Sequence, residues 1–161
     1  MTSRSRSPDK HRKLHIDFES HVIGDSPGRV YVDVQVTAYI QHREIGHALA
    51  LYNKSSGQFI LADVFIDGSW RGRGICTKVV EKLFRVLAKT YRPDSFFIDV
   101  RPSVNNVRAC VCYISALRHV FDDHISKLEM KFENGDSLVN DNVSSGLCRE
   151  GNVNINGQLV W

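Results

Sequence analysis

Residues 59–87 read FILADVFIDGSWRGRGICTKVVEKLFRVL, and the parsing of this stretch decides the fold. The run from Phe59 to Ile66 is apolar and β-branched, as in a strand, and it stops at Asp67-Gly68-Ser69. Arg71-Gly72-Arg73-Gly74 follows, and then Ile75, Val79, Val80, Leu83, Phe84 and Leu87 recur at helical spacing along one side. A strand, a glycine-containing loop and a helix start, in that order, make an anion-binding site. The first amides of a helix lack intrahelical partners, and the helix dipole adds partial positive charge at that end. Gly72 and Gly74 let backbone approach a bulky anion because no Cβ stands in the way. Arg71 and Arg73 add formal charge, so a diphosphate suits the arrangement.

Two common nucleotide loops fail on particular residues. A Walker loop ends in Gly-Lys-Ser/Thr, where this chain has Gly74-Ile75-Cys76-Thr77. A dinucleotide fingerprint requires a third glycine, where position 77 is Thr. A second segment is more discriminating. Ser95 to Val100 (SFFIDV) reads as a buried strand, and NNVRACVCYISALRHVF after it reads as a helix. Val107, Cys110, Val111, Ile114 and Leu117 form the expected core-facing stripe of that helix. Asn106, Ala109, Tyr113 and Ala116 form a second stripe, small enough for something to lie against.

Arg71-Gly72-Arg73-Gly74-Ile75, followed after a helix and a strand by Asn106-x-x-Ala109-x-x-x-Tyr113, resembles the GNAT N-acetyltransferase superfamily. The resemblance covers residues 59–121, about two-fifths of the chain. It implies acetyl-CoA as cosubstrate, no metal, and transfer of acetyl to an amine by direct attack. Amides from Arg71 through Gly72, Arg73, Gly74, Ile75, Cys76 and Thr77 would hold the diphosphate. The end of the preceding strand, Val64, Phe65 and Ile66, would pair with the pantetheine arm, and Asn106 would contact it. Tyr113 would protonate the departing thiolate, the catalytic role. The alternative is a catalytically degenerate module of the same fold that binds coenzyme A or a protein partner.

The chain departs from the family at several points. Cys76 stands where Gly or Ala is usual, and reads either as a small packing residue or as an activated thiol at a helix start. Val120-Phe121 replaces the family's Gly-Phe. The family's glutamate base is missing from the strand: Ile60, Ala62 and Val64 are expected on one face and Asp63 on the other. Glu44, His47, Asp63 and Asp67 are the nearby titratable groups, with none assigned as base. The family's two helices between its first strands are also missing, because Gly24-Asp25-Ser26-Pro27-Gly28 leaves room only for a turn. The acceptor side should therefore be open, or covered by another segment or subunit.

The remaining strands are read at Leu14 to Ile23, Arg29 to Ile40, Ile45 to Tyr52, Ile125 to Glu133 and Asn152 to Trp161. The polar loop from Asn134 to Gly151 is long enough to fold over the open acceptor side. The fold class is α/β (α+β): a GNAT-like, mixed, mostly antiparallel sheet of six to seven strands with two main helices. A single domain over residues 14–161 follows a basic leader, residues 1–13, expected to be disordered.

Composition agrees. The chain has 161 residues, 42% hydrophobic and 24% charged, an ordinary globular balance with enough length for a core. No run suits a membrane span or a signal core. The net charge is +3, but Arg4, Arg6, Lys10, Arg12 and Lys13 against Asp9 place +4 in the leader, leaving the domain at −1. That balance argues against a nucleic-acid-binding domain; the leader is a solubilising tail, a nuclear address or a weak nucleic-acid contact. Four cysteines (Cys76, Cys110, Cys112, Cys148) lack metal-ligand spacing and are expected as unpaired thiols, which points to a cytoplasmic, reducing location, or a nuclear one through the leader. Expected partners are an amine acceptor (small molecule, polyamine or protein amine) and a second copy as a homodimer, with no membrane.

Overall fold

A computed structural model describes residues 15–101 and 106–161. The basic leader lies outside the described residues, as do positions 102–105. The elements are β1 (Asp17–Ile23), β2 (Tyr31–Ile40), β3 (Arg43–Asn53), β4 (Gln58–Ile66), α1 (Ile75–Thr90), β5 (Ser95–Val100), α2 (Asn106–Phe121), β6 (Ile125–Phe132), β7 (Ser137–Val139) and β8 (Val153–Leu159). They form one eight-stranded sheet in the order β1-β2-β3-β4-β5-β8-β6-β7. Every neighbouring pair is antiparallel except β4 and β5. The expected strand count of six or seven falls short by β7, three residues inside a polar loop with no apolar run to announce it.

The alternation along β2 shows why the layers form. Val32, Val34, Val36, Ala38 and Ile40 are buried on one face, while Asp33, Gln35 and Tyr39 on the other are partly exposed. α1 covers the buried face with Ile75, Val79, Val80, Leu83, Phe84 and Leu87, the residues its spacing predicts. α2 packs beside α1. Phe84 and Phe121 meet at 5.5 Å between ring centroids, and Phe59 of β4 touches both, at 5.4 and 5.9 Å. Offset and tilted rings at such spacings add to the burial of apolar area.

β1 turns directly into β2 through residues 24–30, and the strands pair from Asp17↔Tyr39 to Ile23↔Asp33, so no helices intervene. The turn is pinned instead: Tyr91 at the end of α1 donates to Asp25 at 2.7 Å, and Lys54 donates to it at 3.1 Å. The loop after β6 does not fold over the acceptor side. It starts at the sheet edge opposite β1, where β7 pairs with β6, and then runs back along α2: Arg118 donates to the carbonyls of Asn140 (2.8 Å) and Val143 (2.9 Å), and Cys110 bonds to Cys148.

Three expectations need correction. First, the thiols are not free: Cys76 pairs with Cys112 and Cys110 with Cys148, which removes the cysteine-based reason for a reducing compartment. Cys110 and Cys112, two residues apart on α2, each reach a different partner. Second, the core face of α2 is Asn106, Cys110, Cys112, Ile114, Ala116, Leu117 and Phe121, whereas Val111 is 37% exposed. This helix is apolar around most of its circumference, so spacing alone leaves its rotation undetermined. Third, Asp63 shares a face with Ile60. Ala50 pairs with Leu61 but Leu49 pairs with Asp63, so Ala62 is an extra residue, a β-bulge. A bulge shifts the alternation by one, so Phe59 and Leu61 face the helices before it, and Val64 and Ile66 after it.

Cys148→Ser is expected to lower unfolding free energy by about 2–4 kcal/mol, as for a cross-link closing a loop of this size. Urea melts of the oxidised protein measure it. A count of free thiols under denaturing, non-reducing conditions should give none in the wild type.

Candidate functional site

β4 and β5 pair only from Gln58↔Ser95 to Leu61↔Ile98. Beyond the bulge β4 diverges, and its edge toward β5 is left without a strand partner. The cleft opened there has a volume of about 370 Å³, within the range of small-molecule sites. Its walls are the end of β4 (Val64, Phe65, Ile66), the loop and first turn of α1 (Trp70, Arg71, Gly72, Gly74, Ile75, Cys76, Thr77) and one side of α2 (Val107, Arg108, Ala109, Val111, Cys112, Tyr113).

The loop is built for close approach. Gly72 and Gly74 have φ of +76° and +75°, a left-handed conformation that disfavours side chains, and nothing lies within 4 Å of where a Cβ would stand on either. Gly74 caps α1, whose first internal bond is Lys78 N–H to Gly74 C=O at 3.3 Å. The amides before Lys78 therefore point out of the helix start, unsatisfied by it. Asp67 caps the single turn Gly68–Trp70 by accepting from the Ser69 amide at 3.1 Å, which uses it structurally. Arg71 Nε donates to Ile66 C=O at 3.0 Å and ties the loop to the end of β4.

Most residues expected at the site are gathered there: Val64, Phe65, Ile66, Arg71, Gly72, Gly74, Ile75, Cys76, Thr77 and Tyr113. Two are not. Arg73 lies over the Trp70 ring at 4.7 Å and is not part of the wall. Asn106 is 3% exposed and donates to Gly151 C=O at 2.7 Å, fastening the start of α2 to the strand β8 approach. Cys76 is neither a lone packing residue nor an activated thiol; with Cys112 it forms a covalent tie between α1 and α2 in the cleft wall. Trp70, Val107, Arg108 and Val111 were not legible as site residues. Only the rotation of α2 brings the last three to the cleft.

Tyr113 is half-buried, and burial together with the negative charge of Asp63 pushes its phenol up to about 12. Asp63 belongs to a cluster on the helix-free side of the sheet. His47 of β3 lies between two carboxylates, with Nε2 2.9 Å from Asp63 Oδ2 and Nδ1 3.2 Å from Glu44 Oε1. Its ring is 5.8 Å from that of Phe65, its cross-strand partner. Burial pulls the imidazole pKa down, but the hydrogen bonds to Asp63 and Glu44 and their charges outweigh it, leaving a net value above the ordinary 6.5. Among the described residues no group of three His, Cys, Asp or Glu could hold a metal ion, and no helix is long and apolar enough to cross a membrane.

No protein-family model matches the chain, and no curated protein does. Solved structures do match. Spermidine N-acetyltransferase from Vibrio cholerae, in complex with CoA and spermine, aligns at 14% identity and a TM-score of 0.51, covering 79% of this chain and 65% of that one. An acetyltransferase from Bacillus subtilis in complex with CoA aligns at 13% identity and a TM-score of 0.50, covering 80% and 78%. The chain thus spans just under two thirds of the length of the Vibrio enzyme. The likeness shows the fold alone: a mixed, mostly antiparallel α+β sheet with two main helices, as in those acetyltransferases.

The raised His47 pKa fixes the sign of a stability effect. Its ion pairs contribute fully below pH 6.5 and fade as pH rises through the folded-state value. His47→Gln should therefore destabilise the protein more at pH 5.5 than at pH 8.5, as read by urea melts at both. An equal loss at both pH values would show that the imidazolium is not held by its neighbours.

Proposed function

We propose that the chain transfers an acetyl group from acetyl-CoA to an amine. The observation that carries this reading is the cleft itself: a side-chain-free turn and a helix start at one end, the unpaired edge of β4 along the side, and Tyr113 facing the same space. The amides of residues 72–77 would hold the diphosphate, with the charges of Arg71 and Arg108 alongside. The strand-free edge of β4 at Val64 and Phe65 would pair with the amide-bearing arm, as an added strand would, beside the Ile66 carbonyl that Arg71 already occupies. When bound, acetyl-CoA supplies an activated acyl carbon with a thiolate as leaving group.

Tyr113 holds a proton where a departing sulfur needs one. A phenol at about 12 is a weak donor. Delivery to a thiolate of ordinary pKa is uphill by roughly 5 kcal/mol. The same burial that raises the phenol also raises a thiolate in the same cleft, which narrows the gap. Val111 and Phe65, exposed at 37% and 49%, supply apolar wall that would exclude water from the acyl group. The helix-free face beside β4 leaves the acceptor side open, and its carboxylates, Asp63 and Glu44, suit a cationic amine. The Vibrio enzyme is named for spermidine, a cationic amine of that class, and we carry that class of acceptor to this chain as part of the proposal.

Isothermal titration should show acetyl-CoA binding that Gly74→Val abolishes, because a branched side chain is strained at φ +75° and fills the cradle. Tyr113→Phe should lower kcat about 100-fold with acetyl-CoA affinity changed less than threefold. Thiol release with polyamines, basic peptides and small alkylamines identifies the acceptor. Binding without release for any amine would favour the non-catalytic module.

A further inference from the structure

We propose that His47 and Asp63, backed by Glu44, form the base that takes the proton from an acceptor arriving as an ammonium ion. This inference rests on the acetyl-transfer reading and adds what the strand pattern withheld, a proton acceptor beside the cleft. Three observations place the pair beside it. Asp63 shares its strand face with Phe65, a wall residue; its charge is the one Tyr113 senses; and the His47 ring lies 5.8 Å from that of Phe65. Asp63 is 60% exposed and His47 25%, so the carboxylate meets the acceptor and the imidazole stands behind it.

The chemistry follows from having one ring between two acceptors. A neutral imidazole carries one N–H, so only one of its two carboxylate contacts contains a proton, and the other sets lone pair against lone pair. The cluster is thus one proton short, and an ammonium at Asp63 can supply it. The groups facing His47 are Glu44 on its own strand, Asp63 and Phe65 on β4, Thr37 opposite on β2 and, through Asp63, Tyr113 on α2. None of these is basic. Arg43, the nearby cation on β3, is directed to Asp67 at 3.9 Å.

The step balances without an added reagent. The ammonium gives one proton to His47 by way of the Asp63 contact, and the amine nitrogen forms its bond to the acyl carbon. The carbon–sulfur bond breaks, its electron pair leaves on sulfur, and the Tyr113 hydroxyl gives sulfur its proton. The second proton of the attacking nitrogen returns Tyr113 to the neutral phenol, and His47 later releases its proton to solvent. Asp63 touches the acceptor and is the catalytic contact; Glu44 acts through His47 and is a positioning residue.

The test uses the full chain with acetyl-CoA and spermidine as the probe amine. kcat/KM from pH 5.5 to 9 should show an acid limb above pH 6.5 that His47→Gln abolishes, with a loss of about 100-fold at pH 8. Glu44→Gln should move the limb to lower pH while keeping most of the plateau rate, a shift that a merely structural role would not produce. NMR titration of the His47 ring gives an independent readout: saturating spermidine should move its midpoint to lower pH, and sodium chloride at equal ionic strength should not. A limb retained in His47→Gln, or a midpoint indifferent to spermidine, overturns the proposal. Calorimetry separates the two levels: no acetyl-CoA binding by the wild type sinks the acetyl-transfer reading, whereas binding and turnover with an unaltered pH profile sink the base alone.

Discussion

Two neighbouring parallel strands part company halfway along their length, and the site depends on that separation. β4 and β5 share a ladder for four residue pairs and then diverge, so the far half of β4 keeps backbone donors and acceptors that no strand satisfies. Buried backbone groups need partners, and an exposed strand edge recruits them from a ligand or from water. The bulge at Ala62 sits at this point. It bends β4 and reverses which side chains face the helices. With one extra residue the chain obtains a cleft, a free edge to line it, and a carboxylate on the open face beside it.

The opposite wall is held by packing and cross-links. Phe59, Phe84 and Phe121 fix α1 and α2 against β4 through ring contacts inside 6 Å. Cys76–Cys112 then ties the first turn of α1 to the middle of α2 next to Tyr113, and Cys110–Cys148 ties α2 to the loop before β8. A cleft between a bent strand and two helices keeps its width only if the helices do not slide. These ties act against that sliding at the point where the phosphate-type turn and the phenol have to stay in register. His119 and Glu81, 2.6 Å apart, bridge the same two helices nearer their outer surface.

Electrostatics divides the cleft into two ends. The helix start, with Arg71 and Arg108, makes the glycine turn attractive to anions, while Asp63 and Glu44 make the face beyond Val64 attractive to cations. Tyr113 lies between them, its phenol pushed up to about 12 by burial and by Asp63. On the acetyl-transfer proposal, an anionic carrier and a cationic acceptor would approach from different sides and meet at this phenol.

Although the meeting of Tyr113 with the glycine turn was implied by the family resemblance and not by periodicity, local sequence suffices for the strand–turn–helix at residues 59–87 and for the strand and helix at 95–121. These depend on local periodicity and on backbone freedom at Gly72 and Gly74, both of which are written in short range. It also determined the lack of helices between β1 and β2, because seven residues span nothing longer than a turn. Tertiary structure decided the rest. An evenly apolar α2 has no preferred rotation until it docks, so the exposure of Val111, the burial of Asn106 and the partners of Cys110 and Cys112 follow only from packing. The face of Asp63 depends on one unpaired residue, which strand alternation does not register; its meeting with His47, 16 residues earlier, exists only once β3 and β4 pair.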